Sequence, residues 1–373
     1  MRFTVSSAAL SSKLQALARV INSKNALPIL DCFLFQVKGN SIVLTASDSE
    51  NVLKTTIETT EAEGEGEFAI NNKTILDALK ELPDQPLTFD IDASTLQMRI
   101  MYQNGSYDII GQNAEAYPEF IPLDEQHTTI TIPSAVLAAG IERSLFATAQ
   151  DELRPQMNGI FFDLNEESLT LVASDGHKLV RDRLFSIKGQ PASYILPKKP
   201  ANILRNSLQK LEGDVTITFD ERNSVIVYDS FTLTCRLIEG HYPNYNAVIP
   251  KDNPNRIILD RTAMLGALKR VIIFASAASN LVKFHFESGQ LTMSSQDVDY
   301  STSATEHIDC QYEGSSINIG FKGSAMIEIL NNLKSDEVVL ELADPSRAGL
   351  VTPSEQPKDE DVLILIMPML LSD

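Results

Sequence analysis

The chain is 373 residues long, with 31 Lys and Arg against 50 Asp and Glu and a formal net charge of −19. That length leaves room for two or three domains, each with a core of its own, and excludes a single small module. An apolar share of 43% and a charged share of 22% exclude general disorder and a fibrous chain, and the acidic excess argues against simple electrostatic adhesion to nucleic acid or to an anionic membrane.

Phe3-Thr-Val begins an alternating strand that runs into a helical pattern, with Leu10, Leu14, Leu17 and Ile21 on one apolar stripe and Ser6 or Ser7 as its start signal. The acidic, Gly-containing stretch Glu61 to Glu67 reads as a loop tip. A second helical stretch carries Ile75, Leu76 and Leu79, and Tyr117-Pro118 precedes a polar link, Leu123 to Gln126. Then the pattern returns. Ile130-Thr-Ile stands 127 positions after Phe3-Thr-Val, and Ile257-Ile-Leu 127 later again, so that Leu10 corresponds to Leu137 and Met264, and Leu14 to Ile141 and Leu268. Pro133 with Ser134, and Asp260, start the matching helices.

Second helices recur at Ile203, Leu204 and Leu208, and at Met326, Ile327 and Leu330. Val215-Ile217-Phe219 and Phe231-Leu233-Cys235-Leu237 alternate as half-buried antiparallel strands. Tyr242-Pro243 and Met367-Pro368 repeat Tyr117-Pro118 at intervals of 125 residues, and a second link spans Pro250 to Asn255. Pro345 to Asp361 reads as a long solvated loop, and Val362 to Leu371 as a buried strand with a tail, too short to span a membrane. The prediction is an α+β fold of three tandem domains, 1–126, 127–253 and 254–373, each with two helices packed on antiparallel sheet.

Charge is segregated by element. The helical windows 8–24, 72–81, 134–149, 198–210, 261–276 and 322–334 together carry +11, which leaves −30 for the rest of the chain. Glu forms helices as readily as Lys and Arg, yet these windows hold only Asp77, Glu81, Glu142 and Glu328 as acids. The expectation is a basic surface made by helices, with Lys13, Arg19, Lys24, Lys198, Lys199 and Arg205 among its cations, against the blander reading of ordinary wet helix faces. Such a surface binds phosphates without reading bases. With no Trp in the chain and only Phe146 and Phe274 in the basic windows, it lacks stacking platforms for single strands.

Catalysis finds little support. Ser174, Asp175 and His177 sit too close in sequence for a relay and lack a GxSxG elbow. His127, His241, His285 and His307 have no metal-ligand spacing, and no GxxxxGK[ST] occurs. Cys32, Cys235 and Cys310 are odd in number and scattered, which fits a reducing cytosol better than disulfides or zinc. With no signal-peptide core and no membrane-length apolar run, the expected location is cytoplasmic, with no membrane partner. No enzyme, metal or cofactor is expected. A repeat-built scaffold that binds only proteins stands as the rival to a DNA-binding role.

Four motifs in order, LPIL at Leu27–Leu30, SDGHKL at Ser174–Leu179, HYPNY at His241–Tyr245 and MPM at Met367–Met369, set on three copies of about 125 residues, resemble the bacterial DNA sliding clamp, the β subunit of DNA polymerase III. The resemblance spans nearly the whole chain. It implies a closed ring of two chains joined head to tail around double-stranded DNA, without sequence preference, with helices lining the hole and sheets outside. It further implies DNA contacts at Lys24, Gln150, Lys198 and Lys199. A pocket for short peptides of the replicative polymerase, the clamp loader and repair proteins falls, by the same resemblance, on Met157, Ser174, Gly176, His177, Lys178, Leu179, Pro243, Ala247, Val248, Leu365, Met367, Pro368 and Met369. The dimer contact falls on Tyr107 and Ile109 of one chain and Ile273 and Phe274 of the other; core positions are the equal alternative for the last two. Leu370, Ala247 and the tail Ser372-Asp373 depart from the family pattern, which shifts the expected peptide preference toward apolar contacts, and the loop at Gln150 carries one extra residue.

Overall fold

The computed structural model describes residues 1–119 and 123–371; Ser372 and Asp373, part of the expected tail, lie outside them. The first repeat runs β1 (Arg2–Ser6), α1 (Ser7–Leu17), β2 (Cys32–Lys38), β3 (Ser41–Ser47), β4 (Asn51–Glu58), β5 (Glu61–Glu63), β6 (Gly66–Asn71), α2 (Asn72–Lys80), β7 (Pro86–Ile91), β8 (Gln97–Tyr102) and β9 (Gly105–Ile110). The second runs β10 (Thr128–Pro133), α3 (Ser134–Leu145), β11 (Gly159–Leu164), β12 (Leu169–Ser174), β13 (Lys178–Leu184), β14 (Ala192–Pro197), α4 (Lys198–Leu208), β15 (Asp214–Phe219), β16 (Asn223–Tyr228) and β17 (Phe231–Arg236). The third runs β18 (Asn255–Asp260), α5 (Arg261–Val271), β19 (Leu281–Glu287), β20 (Gln290–Asp297), β21 (Thr302–Asp309), β22 (Ile317–Lys322), α6 (Gly323–Asn332), β23 (Glu337–Leu342), β24 (Gly349–Pro353) and β25 (Glu360–Ile366).

The helix starts are set by side chains that satisfy the first free N–H groups. Ser6 is the cap of α1, its hydroxyl accepting from Ala9 N–H at 3.2 Å; Asn71 caps α2 and Asp260 caps α5 in the same way. In each repeat the first residue of the first helix then donates its N–H to the loop after the second: Ser7 to Gln85, Ser134 to Gly213 and Arg261 to Asp336, each at 2.9 Å. The side chains at these positions reinforce the same joint. Ser7 and Ser134 donate their hydroxyls to the Pro83 and Leu211 carbonyls, and Arg261 spans the gap with its guanidinium, reaching Ser335 O at 2.7 Å and Leu330 O at 3.2 Å.

The described residues fall into two compact units, one of residues 1–137 with 202–237, the other of residues 138–201 with the chain from 238 onward. The first unit holds a five-stranded sheet, β5-β1-β7-β8-β9, and an eight-stranded sheet, β10-β15-β16-β17-β4-β3-β2-β6. The second holds an eight-stranded sheet, β14-β11-β12-β13-β25-β24-β23-β18, and a four-stranded sheet, β21-β20-β19-β22. Each large sheet therefore joins four strands of one repeat to four of the next. The joints are the antiparallel ladders β17–β4, with Leu233 opposite Leu53, and β13–β25, with Leu179 opposite Leu365.

Helices pack on these sheets through the expected stripes: Leu10, Leu14, Leu137, Ile141, Met264 and Leu268 are all fully buried. In the first repeat Phe3 stacks on Phe89 at 4.7 Å between ring centres and Phe35 on Phe68 at 5.2 Å. Four expectations need correction. α1 stops at Leu17, short of the window 8–24, so Val20 and not Ile21 fills the next buried position; Lys24, the residue before LPIL that the resemblance placed in a loop, does lie in one. Glu61 to Glu67 is no simple loop tip, because β5 pairs there with β1, Glu63 opposite Arg2. Pro345 to Asp361 contains β24 and the start of β25, whose apolar residues were hidden between polar neighbours. Met367-Pro368 follows β25 directly, whereas Tyr117 and Tyr242 stand several residues beyond β9 and β17, so the third anchor is not structurally equivalent to the first two.

In the second unit the β13–β25 ladder carries a buried charge cluster. One guanidinium, Arg143 on α3, faces two carboxylates, Asp182 Oδ2 at 2.7 Å and Glu360 Oε2 at 2.6 Å; Arg181, at 2.6 Å, and Arg183, at 3.7 Å, hold Asp361 beside it. Asp182 is completely buried, and burial outweighs Arg143 to push its carboxyl up to about 6. The sign follows from linkage: a raised carboxyl contributes stability that is complete below its ordinary pKa and lost as pH climbs through 6. Urea melts over about pH 4 to pH 7 should therefore show the wild type losing stability relative to Asp182→Asn, by up to about 1.4 kcal/mol for each unit of displacement; parallel curves would contradict this.

Candidate functional site

Three sets of residues emerge, the first being the helix cations. Lys13, on α1, bonds the Ser230 hydroxyl and lies 4.5 Å from the centre of the Phe231 ring. Arg19 and Lys24 are exposed in the segment after α1, and Arg205 is half-buried on α4. Lys198 and Lys199 open α4, half-buried, and each interacts with a neighbouring group. Gln150 is exposed before a loop braced by the Asp151–Arg154 ion pair at 2.8 Å and by Asp151 N–H donating to Asn158 at 2.8 Å. The helix charge counted from sequence is partly consumed by structure. Arg261 is a joint between α5 and the end of α6, Arg270 is paired with Glu306, and Lys334 reaches Glu142 at 3.4 Å.

The second set lies in the second unit, where the β12–β13 turn meets the end of β25. Asp175 organises the turn: its Oδ1 accepts the N–H groups of His177 and Lys178, both at 2.9 Å. Gly176 takes φ +87, a left-handed conformation that favours glycine. The Ser174 hydroxyl donates to Lys178 O at 2.9 Å and accepts from Gly176 N–H at 3.1 Å, so its polar capacity is spent within the turn, not on a nucleophile's base.

Met367 N–H donates to His177 O at 2.8 Å and thereby fixes the tail to this turn. Leu179 and Leu365, opposite one another, form a buried floor with Val172, Tyr245 and Leu350, and Met157 is buried as well. Gly176, His177, Pro243, Ala247 and Val248 are exposed, as is Met367, while Pro368 and Met369 are half-buried. Leu370 is 87% exposed. The arrangement is an apolar floor with an adaptable Met-rich rim.

Lys178 is not a rim cation. It is buried, with Nζ 2.7 Å from Asp175 Oδ2 and 3.2 Å from Glu328 Oε2. Burial works to lower its pKa, but the two carboxylates outweigh burial and raise it, which keeps the ammonium charged. Sequence reasoning missed two neighbours: Arg154, whose guanidinium lies 3.4 Å from where a Cβ on Gly176 would stand, and Phe161, stacked on Tyr242 at 4.8 Å. The repeated Tyr-Pro pair was the available signal for the second.

The third set is at sheet edges. Tyr107 and Ile109 are half-buried on β9, the edge of the five-stranded sheet, and the neighbouring Ile110 is 74% exposed. Ile273 and Phe274, on a 3-10 turn after α5, are 74% and 40% exposed, so they are surface and not core. None of the cysteines is poised as a nucleophile: burial pushes Cys235 up to about 12, and burial together with Asp31 pushes Cys32 up to about 11. Among the described residues no group of three or more His, Cys, Asp or Glu is placed to hold a metal ion, and no helix is long and apolar enough to cross a membrane.

Three family profiles match in order: the N-terminal domain of the DNA polymerase III beta subunit over residues 1–122, its central domain over 131–244 and its C-terminal domain over 246–370. The chain belongs to the DNA polymerase III beta subunit family. The beta sliding clamp of Pseudomonas putida is 27% identical across the full length of both chains, and that of Bacillus subtilis 24% identical across 99% of each. Among solved structures, the sliding clamp of Pseudomonas aeruginosa bound to griselimycin superposes with a TM-score of 0.93 at 25% identity, over all of both chains. The beta subunit of Thermotoga maritima does so with 0.91 at 26% identity, again over all of both chains. This beta subunit is thus a sliding clamp, a non-catalytic part of DNA polymerase III with three clamp-type domains.

Because Lys178 is a buried, bonded cation, Lys178→Ala in this beta subunit should cost about 3 kcal/mol of stability in urea melts. The Asp175→Asn, Lys178→Ala double variant should lose less than the two single losses combined; strict additivity would show the pair uncoupled.

Proposed function

We propose that this clamp acts as a processivity factor by closing, as a head-to-tail dimer, around duplex DNA, and that it tethers the replicative polymerase, the clamp loader and repair proteins through short peptides. The observation that carries the closure is a rule of strand pairing. The last strand of the second repeat, β17, pairs with β4 of the first, and the last strand of the third, β25, pairs with β13 of the second. β4, β13 and β21 occupy the same place in the three repeats, as do β9, β17 and β25. Applying the rule once more leaves β9 and β21 as complementary edges within one chain's inventory, to be paired with the edges of another copy. The exposed Ile110, Ile273 and Phe274, with Tyr107 and Ile109, supply apolar area for that contact.

Within the ring, Lys13, Arg19, Lys24, Gln150, Lys198, Lys199 and Arg205 face the phosphate backbone, holding it weakly and without sequence preference. Topology does the retaining, so an acidic molecule stays on an acidic polymer. The peptide site is the floor and rim between the β12–β13 turn and the end of β25, and its working unit boundaries are 1–126, 127–253 and 254–373. The location is cytoplasmic, where that DNA is.

Loaded onto a closed circular duplex, the protein should be retained in gel filtration at moderate salt and lost once the circle is cut; equal loss from both would favour a protein-only scaffold. Deleting Met367–Asp373 should abolish binding of a short apolar partner peptide in titration calorimetry while leaving the dimer intact, and unchanged affinity would remove the rim residues from the pocket.

A further inference from the structure

The hairpins β3–β4, β12–β13 and β20–β21 share one frame of inward-facing pairs. Ile42 stands opposite Ile57 and Ala46 opposite Leu53 in the first repeat, Leu169 opposite Leu184 and Ala173 opposite Val180 in the second, and Leu291 opposite Ile308 and Ser295 opposite Ala304 in the third. Measured between these pairs, the β20–β21 turn is two residues longer than the other two. The extra length is held in shape by hydrogen bonds. Asp297 Oδ1 accepts the N–H groups of Asp299 at 3.0 Å and of Tyr300 at 3.3 Å, and Ser301 N–H donates to Val298 O at 3.3 Å. The tip nevertheless presents two large side chains to solvent, Val298 at 78% and Tyr300 at 81% exposure.

The pairing rule between repeats extends residue by residue. The β8–β9 and β16–β17 hairpins close alike, Tyr102 opposite Gly105 and Tyr228 opposite Phe231, so Tyr107 stands where Leu233 does and Ile110 where Arg236 does. Leu233 faces Leu53, and Ile364 faces Val180. Extended to a second copy, the same register sets Tyr107 against Ala304, Asp108 against Ser303 and Ile109 against Thr302. Hydrogen-bonding direction agrees with it. Gly111 N–H is spent on Leu96 O and Cys310 N–H on Gly289 O, so by alternation Ser106, Asp108 and Ile110 on β9, and Ser303, Thr305 and His307 on β21, point their groups off the sheet. A one-residue slip would set these rows against groups already bonded. At both internal joints the following N–H reaches into the turn, Arg236 to Glu50 O at 2.9 Å and Met367 to His177 O at 2.8 Å. The matching donor on β9 is Ile110, whose acceptor in this register is Ser301 O, next to Tyr300.

Ile110 is 74% exposed and, with Met98, Ile109, Asp90 and Asp108, walls a cavity of about 590 Å³. We propose that the long β20–β21 turn is a latch between two copies of this chain, with Val298 and Tyr300 of one seated against Ile110 and this cavity of the next. The Tyr300 ring lies on the isoleucine, and its hydroxyl turns toward the carboxylates. Exposed apolar groups on the two edges thereby cover one another. The shorter β12–β13 turn leaves the matching face open as the rim around Met367, so the joint between copies is locked where the internal joint stays available. The latch rests on the head-to-tail closure proposed above and adds to it the register and the residues that hold it.

Register and latch are tested separately in the full chain. With Ile109→Cys and Thr302→Cys together, mild oxidation should join two chains, whereas Ile109→Cys with Ala304→Cys, displaced along β21, should behave as the unsubstituted chain; any other pattern overturns the register. Tyr300→Ala, at an exposed turn position, should raise the dimer dissociation constant by about tenfold or more in sedimentation equilibrium. Adding Ile110→Ala should then weaken the dimer no further than the stronger single variant does. Unchanged affinity in Tyr300→Ala, or losses that multiply in the double variant, overturns the latch while the closure stands. An unsubstituted chain that is monomeric at every concentration removes the closure, and the latch with it.

Discussion

The constraint on which this architecture rests is that an exposed strand edge must find a partner for its N–H and C=O groups. Each repeat builds a half-sheet at either end, of four strands in every case but β5-β1-β7-β8-β9, which has five, and neither half is complete alone. The β17–β4 and β13–β25 ladders satisfy four of the six halves by joining neighbouring repeats, which is why each large sheet has eight strands and crosses a boundary between repeats. The division into two compact units, cutting through the second repeat, follows from the same pairing. What is left over is one half-sheet from the first repeat and one from the third, and the unsatisfied edges of those two give the molecule its direction.

A second theme is how differently the cations are used. Arg143 is sealed among carboxylates and holds α3 against the β13–β25 ladder; Arg261 replaces the serine that the other two repeats use to lock one helix to the next. Arg270 and Lys178 are likewise held by carboxylates. Arg143, Arg270 and Lys178 contribute little to any field outside the scaffold, because each is compensated by a carboxylate at hydrogen-bond distance, whereas Arg261 meets only backbone carbonyls. Arg19 and Lys24, exposed after α1, belong to a different class. A count of charge by helix cannot separate the two classes, since Asp182, Glu360 and Glu306, the acids that compensate Arg143 and Arg270, lie on strands.

Much of the candidate site was legible because it is made of local motifs. The Ser174–Leu179 turn is encoded by Asp175 and Gly176, whose hydrogen bonds and positive φ are determined within a few residues. Its meeting with Met367 was not legible from composition or periodicity, because nearly two hundred positions separate them and only the β13–β25 register brings His177 O to Met367 N–H. The misread segments share a cause. Glu61–Glu67 and Pro345–Asp361 look like loops because their strands are short and set among polar or charged residues, and only pairing with β1 or with β23 makes them strands.

Residue order alone determined the three-fold repeat, the alternation of strand and helix, the stripes that became cores and the family to which the chain belongs, because those properties are periodic or local and need no knowledge of distant partners. Tertiary structure decided which strands join across repeats, which cations are neutralised, and that Ile273 and Phe274 lie on the surface. Each of these depends on a contact between segments far apart in the chain, and a contact of that kind exists only once the backbone has closed its ladders and thereby chosen which polar groups and which apolar faces remain for a partner.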